Sequence, residues 1–257
     1  MYRHMVSRKP MKTEIYLFNF LYEYAIILFM VFITWEKVII MRKAGGVTVN
    51  NKTLQKRELD YFFVEESYGG NQDLFPDPLM RDCGCGAIAA CESSVFFARR
   101  AGLDKLYPYR KDEITWEEYH EFSYLMKHYL CPGPDGIDTL EMFMNGFEEY
   151  LEDVHEQRVK MNPFHGNHTY EEARKALCRQ IDNDCPSPYL LLKHQNSKGY
   201  LEDYIWHWFI VAGYEEKEDD LMVKAVSYGE YKWFPLKELW DTGYDRKGGM
   251  ILFHIEQ

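Results

Sequence analysis

Two cysteines flanked by glycines open a run of small residues: Arg81-Asp82-Cys83-Gly84-Cys85-Gly86-Ala87-Ile88-Ala89-Ala90-Cys91. Ile88, Cys91, Val95 and Ala98 recur at three- and four-residue steps before Gly102, which places a helix over about Gly86–Arg100. Cys85 lies nearer its start than Cys83 does. Unsatisfied N–H groups and the helix dipole there favour a thiolate. Far downstream, His207 stands between Trp206 and Trp208 at the mouth of the apolar run Phe209-Ile210-Val211-Ala212. A thiolate beside an imidazolium can attack a carbonyl.

Each of these residues also has a plainer reading. Cys83 and Cys85 could be small buried residues or, with a nearby histidine, zinc thiolates, although the usual Cys-x-x-Cys spacing is absent. His207 could be a satisfied core histidine. His165 and His168 fall in a Pro/Gly loop with no carboxylate or thiol spaced as an obvious partner.

The elements that must position these groups divide along the chain. Gly69-Gly70-Asn71-Gln72 and Phe75-Pro76-Asp77-Pro78 punctuate a turn-rich loop from Glu65 to Arg81. After the cysteine helix, three more helices are predicted, over Thr115–Tyr129, Thr139–Val154 and Thr169–Ile181. The first opens as a capping box, Thr-Trp-Glu-Glu. Strand signals follow at Pro188–Lys193, Trp208–Tyr214, Leu221–Tyr228, Glu230–Phe234 and Gly249–Ile255, with a short helix from Pro235 to Trp240. Helices first and antiparallel strands second imply an α+β fold with segregated layers.

Composition narrows the class. The chain has 257 residues, 46% of them hydrophobic and 28% charged, which suits a packed core. Its net charge of -11 argues against nucleic acid as a partner, because phosphate contacts need basic surface. The six cysteines form no disulfide framework and read as reduced thiols. Residues 15–35 are apolar and long enough to span a bilayer, with Glu23 as the one charge and Arg3, Arg8, Lys9 and Lys12 ahead of them. That segment reads as a signal anchor, as an apolar helix of the domain, or as an untranslated extension before Met41. Localisation follows from it: membrane-anchored if it spans, otherwise cytoplasmic. Residues 1–40 thus form an apolar N-terminal segment, 41–64 a linker or short strand, and 65–257 the folded domain.

The Gly-Cys-Gly-x-x-Ala opening and the distant strand-borne histidine resemble the papain-like cysteine peptidases of the bacteriocin-processing type. The Asp82-Cys83-Gly84 triplet matches the processing peptidases themselves, and Gly84-Cys85-Gly86 the broader group. Ser227-Tyr228-Gly229 is similar to the Ser-Trp-Gly turn of papain. The resemblance covers about residues 65–257. It implies a papain-like fold, in which a helical layer with a central cysteine-bearing helix packs on a C-terminal antiparallel sheet. It also implies a peptide or protein substrate and no cofactor. Cys85 would be the nucleophile, with Cys83 the alternative, and His207 its base. The family's glutamine before the nucleophile has no match at the corresponding Leu79, so Gln72 stands as the second oxyanion donor beside the Cys85 N–H. The family's third residue, Asn or Asp, is also missing. Ser227 occupies its stretch, and Asp219, Asp220 and Asp241 are more remote. Without that residue, an inactive relative serving as a binding module is the alternative to a peptidase. A membrane-tethered structural protein is a third possibility.

Overall fold

The computed structural model describes residues 54–256 except residue 134. The candidate membrane segment at 15–35 lies outside them. Among the described residues no helix is long and apolar enough to cross a membrane.

Among the described residues six helices and nine strands make an α+β fold: β1 (Lys56–Glu58), β2 (Phe63–Val64), β3 (Ser67–Tyr68), α1 (Pro78–Cys83), α2 (Cys85–Arg100), α3 (Trp116–Tyr129), α4 (Leu140–Asp153), β4 (Val159–His165), α5 (Tyr170–Asp182), β5 (Ser187–Leu191), β6 (His207–Glu216), β7 (Leu221–Ser227), β8 (Glu230–Pro235), α6 (Leu236–Trp240) and β9 (Gly249–Ile255). Three helix starts have one local cause. Thr115, Thr139 and Thr169 each accept a backbone N–H from the first turn, and Thr169 with Glu172 closes a full capping box.

The main sheet runs β4-β9-β5-β6-β7-β8, all neighbours antiparallel. β6 is its spine. Its edge towards β5 is used over His207–Val211, and β1 takes up pairing at Gly213–Glu215, past a register shift between Val211 and Tyr214. Successive side chains of a strand face opposite sides. Trp208 stacks on Phe143 of α4, whereas Phe209 stacks on Tyr189 and meets Tyr204. Both faces are therefore covered, and β5 and most of β6 are buried throughout.

Two segments depart from the sequence expectation. Residues 54–64, read as the end of a linker or short strand, carry β1 and bury Leu59, Tyr61, Phe62 and Val64 in the core. β1 was inconspicuous because a three-residue edge strand of charged residues carries no hydrophobic alternation. The loop assigned to His165 contains β4, which pairs along its whole length with β9 despite Pro163. As the terminal strand of the sheet, β4 can accommodate a proline.

Gly84 joins α1 to α2. It closes α1 with its N–H on the Met80 carbonyl at 2.9 Å and opens α2 by accepting the Ile88 N–H at 2.9 Å. A Cβ at Gly84 would stand 2.3 Å from that Met80 carbonyl oxygen. Because the obstacle is backbone, Gly84→Ala is expected to destabilise the fold by about 3 kcal/mol, read as a lowered urea midpoint with unchanged m.

Candidate active site

Cys85 is the first residue of α2, and no side chain caps that helix end. Cys83 is the last residue of α1. Both are free thiols and part-buried. Gly86 is required as well: a Cβ there would come within 2.8 Å of Ile137 Cβ. The two glycines beside Cys85 thus let α2 start tightly against α1 and against residues 135–138. That segment is held from β6. Trp206 donates its indole N–H to the Asp135 carbonyl at 3.0 Å, and Trp208 donates to the Ile137 carbonyl at 2.5 Å. The two tryptophans that flank the histidine are therefore anchors for the facing loop.

His207, the first residue of β6, is buried. Its Nε2 is 2.7 Å from Ser227 Oγ at the end of β7. The next residue, Tyr228, has a φ of 54°. This left-handed turn lays its ring flat on the imidazole, with centroids 4.8 Å apart and planes 8° from parallel. Tyr228 Oη is 3.4 Å from Nδ1, approaching over the ring face, so the contact is weak as a hydrogen bond. The stacked ring shields the His207–Ser227 bond from water. Asp220 is engaged elsewhere: it accepts from Tyr170 Oη at 2.7 Å and from the amides of Leu221 and Lys237 at 2.7 and 3.2 Å.

Gln72 arrives by a fold-back that sequence spacing hides. A single 3-10 turn (Gln72–Leu74) and α1, capped by Asp77 on the Leu79 N–H, return the chain so that Gln72 Nε2 donates to the Arg81 carbonyl at 2.7 Å. Gln72 Oε1 is buried without a partner. Cys85, Gln72, Gly70, Glu92, Ser227 and Tyr228 all border one small crevice of about 10 Å³, room for about one water molecule. On the other side of the thiol a cavity of about 250 Å³ is lined by Asp82, Cys83, Cys85, Asp138, Leu190 and Trp206, among others.

The charge state follows from burial. Desolvation raises the Cys85 thiol, opposed by the backbone amides of Trp208, Gly86 and Cys85 itself. Burial alone pushes the His207 imidazole down to about 3. The resting site is thus a neutral thiol and a neutral imidazole, not the ion pair expected from the helix end, because desolvation outweighs the dipole. No hydrogen bond joins the two groups directly. Tyr228 stands next to both: burial and then the nearby Cys85 sulfur push its phenol up.

Two residues of this cluster were missed by the sequence reading. Tyr228 announces itself only as a tyrosine before a turn glycine. Glu92, two turns along α2 from Cys85, is buried and held by Tyr61 Oη and the Gly70 N–H. Desolvation raises its carboxyl to about 7.

Among the described residues no three His, Cys, Asp or Glu side chains converge in a way that could hold a metal ion. His165 and His168 instead meet Glu141 at 3.2 Å and Glu172 at 3.7 Å. No protein-family model matches the chain, and neither the curated proteins nor the solved structures yield a match.

The two shifted groups load stability in opposite directions. His207 has a depressed folded value, so its contribution is full above about pH 6.5 and is lost as pH falls towards 3. Glu92 has a raised folded value, so its contribution is full below about 4.5 and is lost as pH rises to 7. Glu92→Gln removes the second trend. Relative to wild type it should gain on the order of 3 kcal/mol between pH 4.5 and 7, measured by urea unfolding across that range. A difference independent of pH would contradict a buried, titrating Glu92.

Proposed function

We propose that the chain is a papain-like thiol hydrolase, a cysteine peptidase with Cys85 as nucleophile and His207 as base. The supporting observation is that Cys85, at an open helix end, borders one crevice with Gln72, Ser227 and Tyr228, and that Ser227 and Tyr228 in turn hold His207. The pair works from its neutral form. The Cys85 sulfur attacks the scissile carbonyl carbon, and its proton passes to His207 as the two groups close to hydrogen-bond reach in the loaded site. The carbonyl electrons move onto oxygen, which the Cys85 N–H and the second amide hydrogen of Gln72 receive. Collapse of this intermediate expels the amine, which takes the proton from His207. Water then attacks the thioester with His207 again as base, releasing the acid and the thiol. Ser227 steers the imidazole through Nε2 and leaves Nδ1 for the thiol.

A second reading, a binding module on the same fold, draws on the neutral state of the pair, since an unactivated thiol is a poor nucleophile. Iodoacetamide labelling of Cys85 against pH separates the two. In the hydrolase, wild type labels at neutral pH and His207→Ala loses about 100-fold there, converging with wild type only near the raised thiol pKa. Superimposable profiles would establish the inert module.

Gln72 has its own signature. Gln72→Ala should slow acylation of Cys85 by p-nitrophenyl acetate about 100-fold, because that reaction develops an oxyanion. Labelling by iodoacetamide, which develops none, should stay near the wild-type rate. Equal losses with both reagents would make Gln72 a structural residue.

A further inference from the structure

The pair Gly69-Gly70 and the buried acid Glu92 belong to one device. Glu92 Oε1 accepts the Gly70 N–H at 2.5 Å, and Oε2 accepts from Tyr61 Oη. The Gly70 carbonyl in turn accepts the Gly229 N–H at 2.9 Å, while the Gly229 carbonyl accepts the Tyr68 N–H at 2.8 Å. Gly70 thus links α2 to the turn that carries Ser227 and Tyr228, two residues before Gln72 begins its own turn. Side chains are excluded at both glycines. A Cβ at Gly69, where φ is 76°, would stand 2.7 Å from Glu92 Oε1, and one at Gly70 would stand 2.3 Å from Tyr119 Oη.

We propose that Glu92 is a positioning residue, whose carboxylate fastens Gly70 to the nucleophile helix and thereby sets both Gln72 and the Ser227–Tyr228 turn relative to Cys85. The proposal rests on the hydrolase reading above. Glu92 acts through these neighbours and not on the substrate, since seven residues of helix separate it from Cys85 by about 10 Å. Its anion accepts two donors at once, and a charged acceptor makes the stronger bonds. Protonation turns one oxygen into a donor facing Tyr61 and weakens the tether. The titratable groups facing Glu92 are Tyr61 from the segment after β1, Tyr119 from α3 and Cys91 beside it on α2. Its elevated carboxyl places the charge change near neutral pH.

The test uses the full chain as wild type, Glu92→Ala and Glu92→Gln. Hydrogen exchange is followed over residues 66–75 and 226–231, and Cys85 acylation by p-nitrophenyl acetate from roughly pH 5 to 9. Glu92→Ala should exchange about 10-fold faster in both segments and acylate about 10-fold more slowly, the scale of one lost buried hydrogen bond. Glu92→Gln keeps an acceptor for the Gly70 N–H, so it should restore protection while losing the inflection near pH 7 that wild type shows. Unchanged protection in Glu92→Ala, or acylation at the wild-type rate, overturns the proposal. If Glu92→Ala does not fold, Glu92→Gln decides, and an inflection that survives in it overturns the proposal. A wild type that is never acylated overturns the hydrolase reading itself, and with it any positioning role.

Discussion

From Gly86 to Ala98 every residue of α2 is buried, so this helix has no solvent face. Polar side chains on it can be satisfied only inside the protein, a requirement that the buried Ser94 hydroxyl leaves unmet. Ser93 meets the requirement within the helix by donating to the Ala89 carbonyl at 2.8 Å. Glu92 cannot, and draws a loop inward instead. The surroundings of the thiol follow from the same constraint. Residues 135–138, the two-glycine segment and the β7–β8 turn all lie where they satisfy or cover the first turns of one buried helix.

Burial also sets the chemistry. A thiol at a helix end gains from the dipole by roughly a kcal/mol, whereas desolvation of a buried imidazole is several times larger. The balance leaves both partners uncharged. Ser227, a neutral acceptor, fits that state: it orients the ring without stabilising an imidazolium as a carboxylate would. The absence of an acid in this turn is thus consistent with a histidine kept neutral at rest.

How much of this was legible in the sequence depends on the range of the interaction. The threonine caps and the helical period of α2 are local, and they read correctly to within a residue. Glycine spacing and strand onset mark Cys85 and His207, whereas Ser227 was named through the resemblance of its turn to that of papain. Gln72 was legible only as a nearby glutamine, since its approach requires α1 to fold back, and α1 is a six-residue helix that opens on a proline. Glu92 was invisible to periodicity, which registers apolar positions and passes over a charge on a buried stripe. β4 was missed, and β1 was read only as a linker or short strand, for a related reason: strands at a sheet margin derive their identity from the partner strand, not from their own alternation.

The sheet order has a consequence for biosynthesis. β9, the last of the described strands, lies between β4 and β5. Until it is made, β4 has no neighbour in the sheet and β5 is paired on one side only. Phe253 of β9 also packs edge-on against Phe97 of the cysteine helix. A ribosome-bound chain lacking this strand therefore exposes two strand edges and part of the helix that carries the thiol. Closing the sheet joins residues about ninety positions apart, a long loop that slows folding. Cys85 and its helix are thus enclosed only once β9 has emerged, and until then a nascent chain is open to aggregation and stray oxidation.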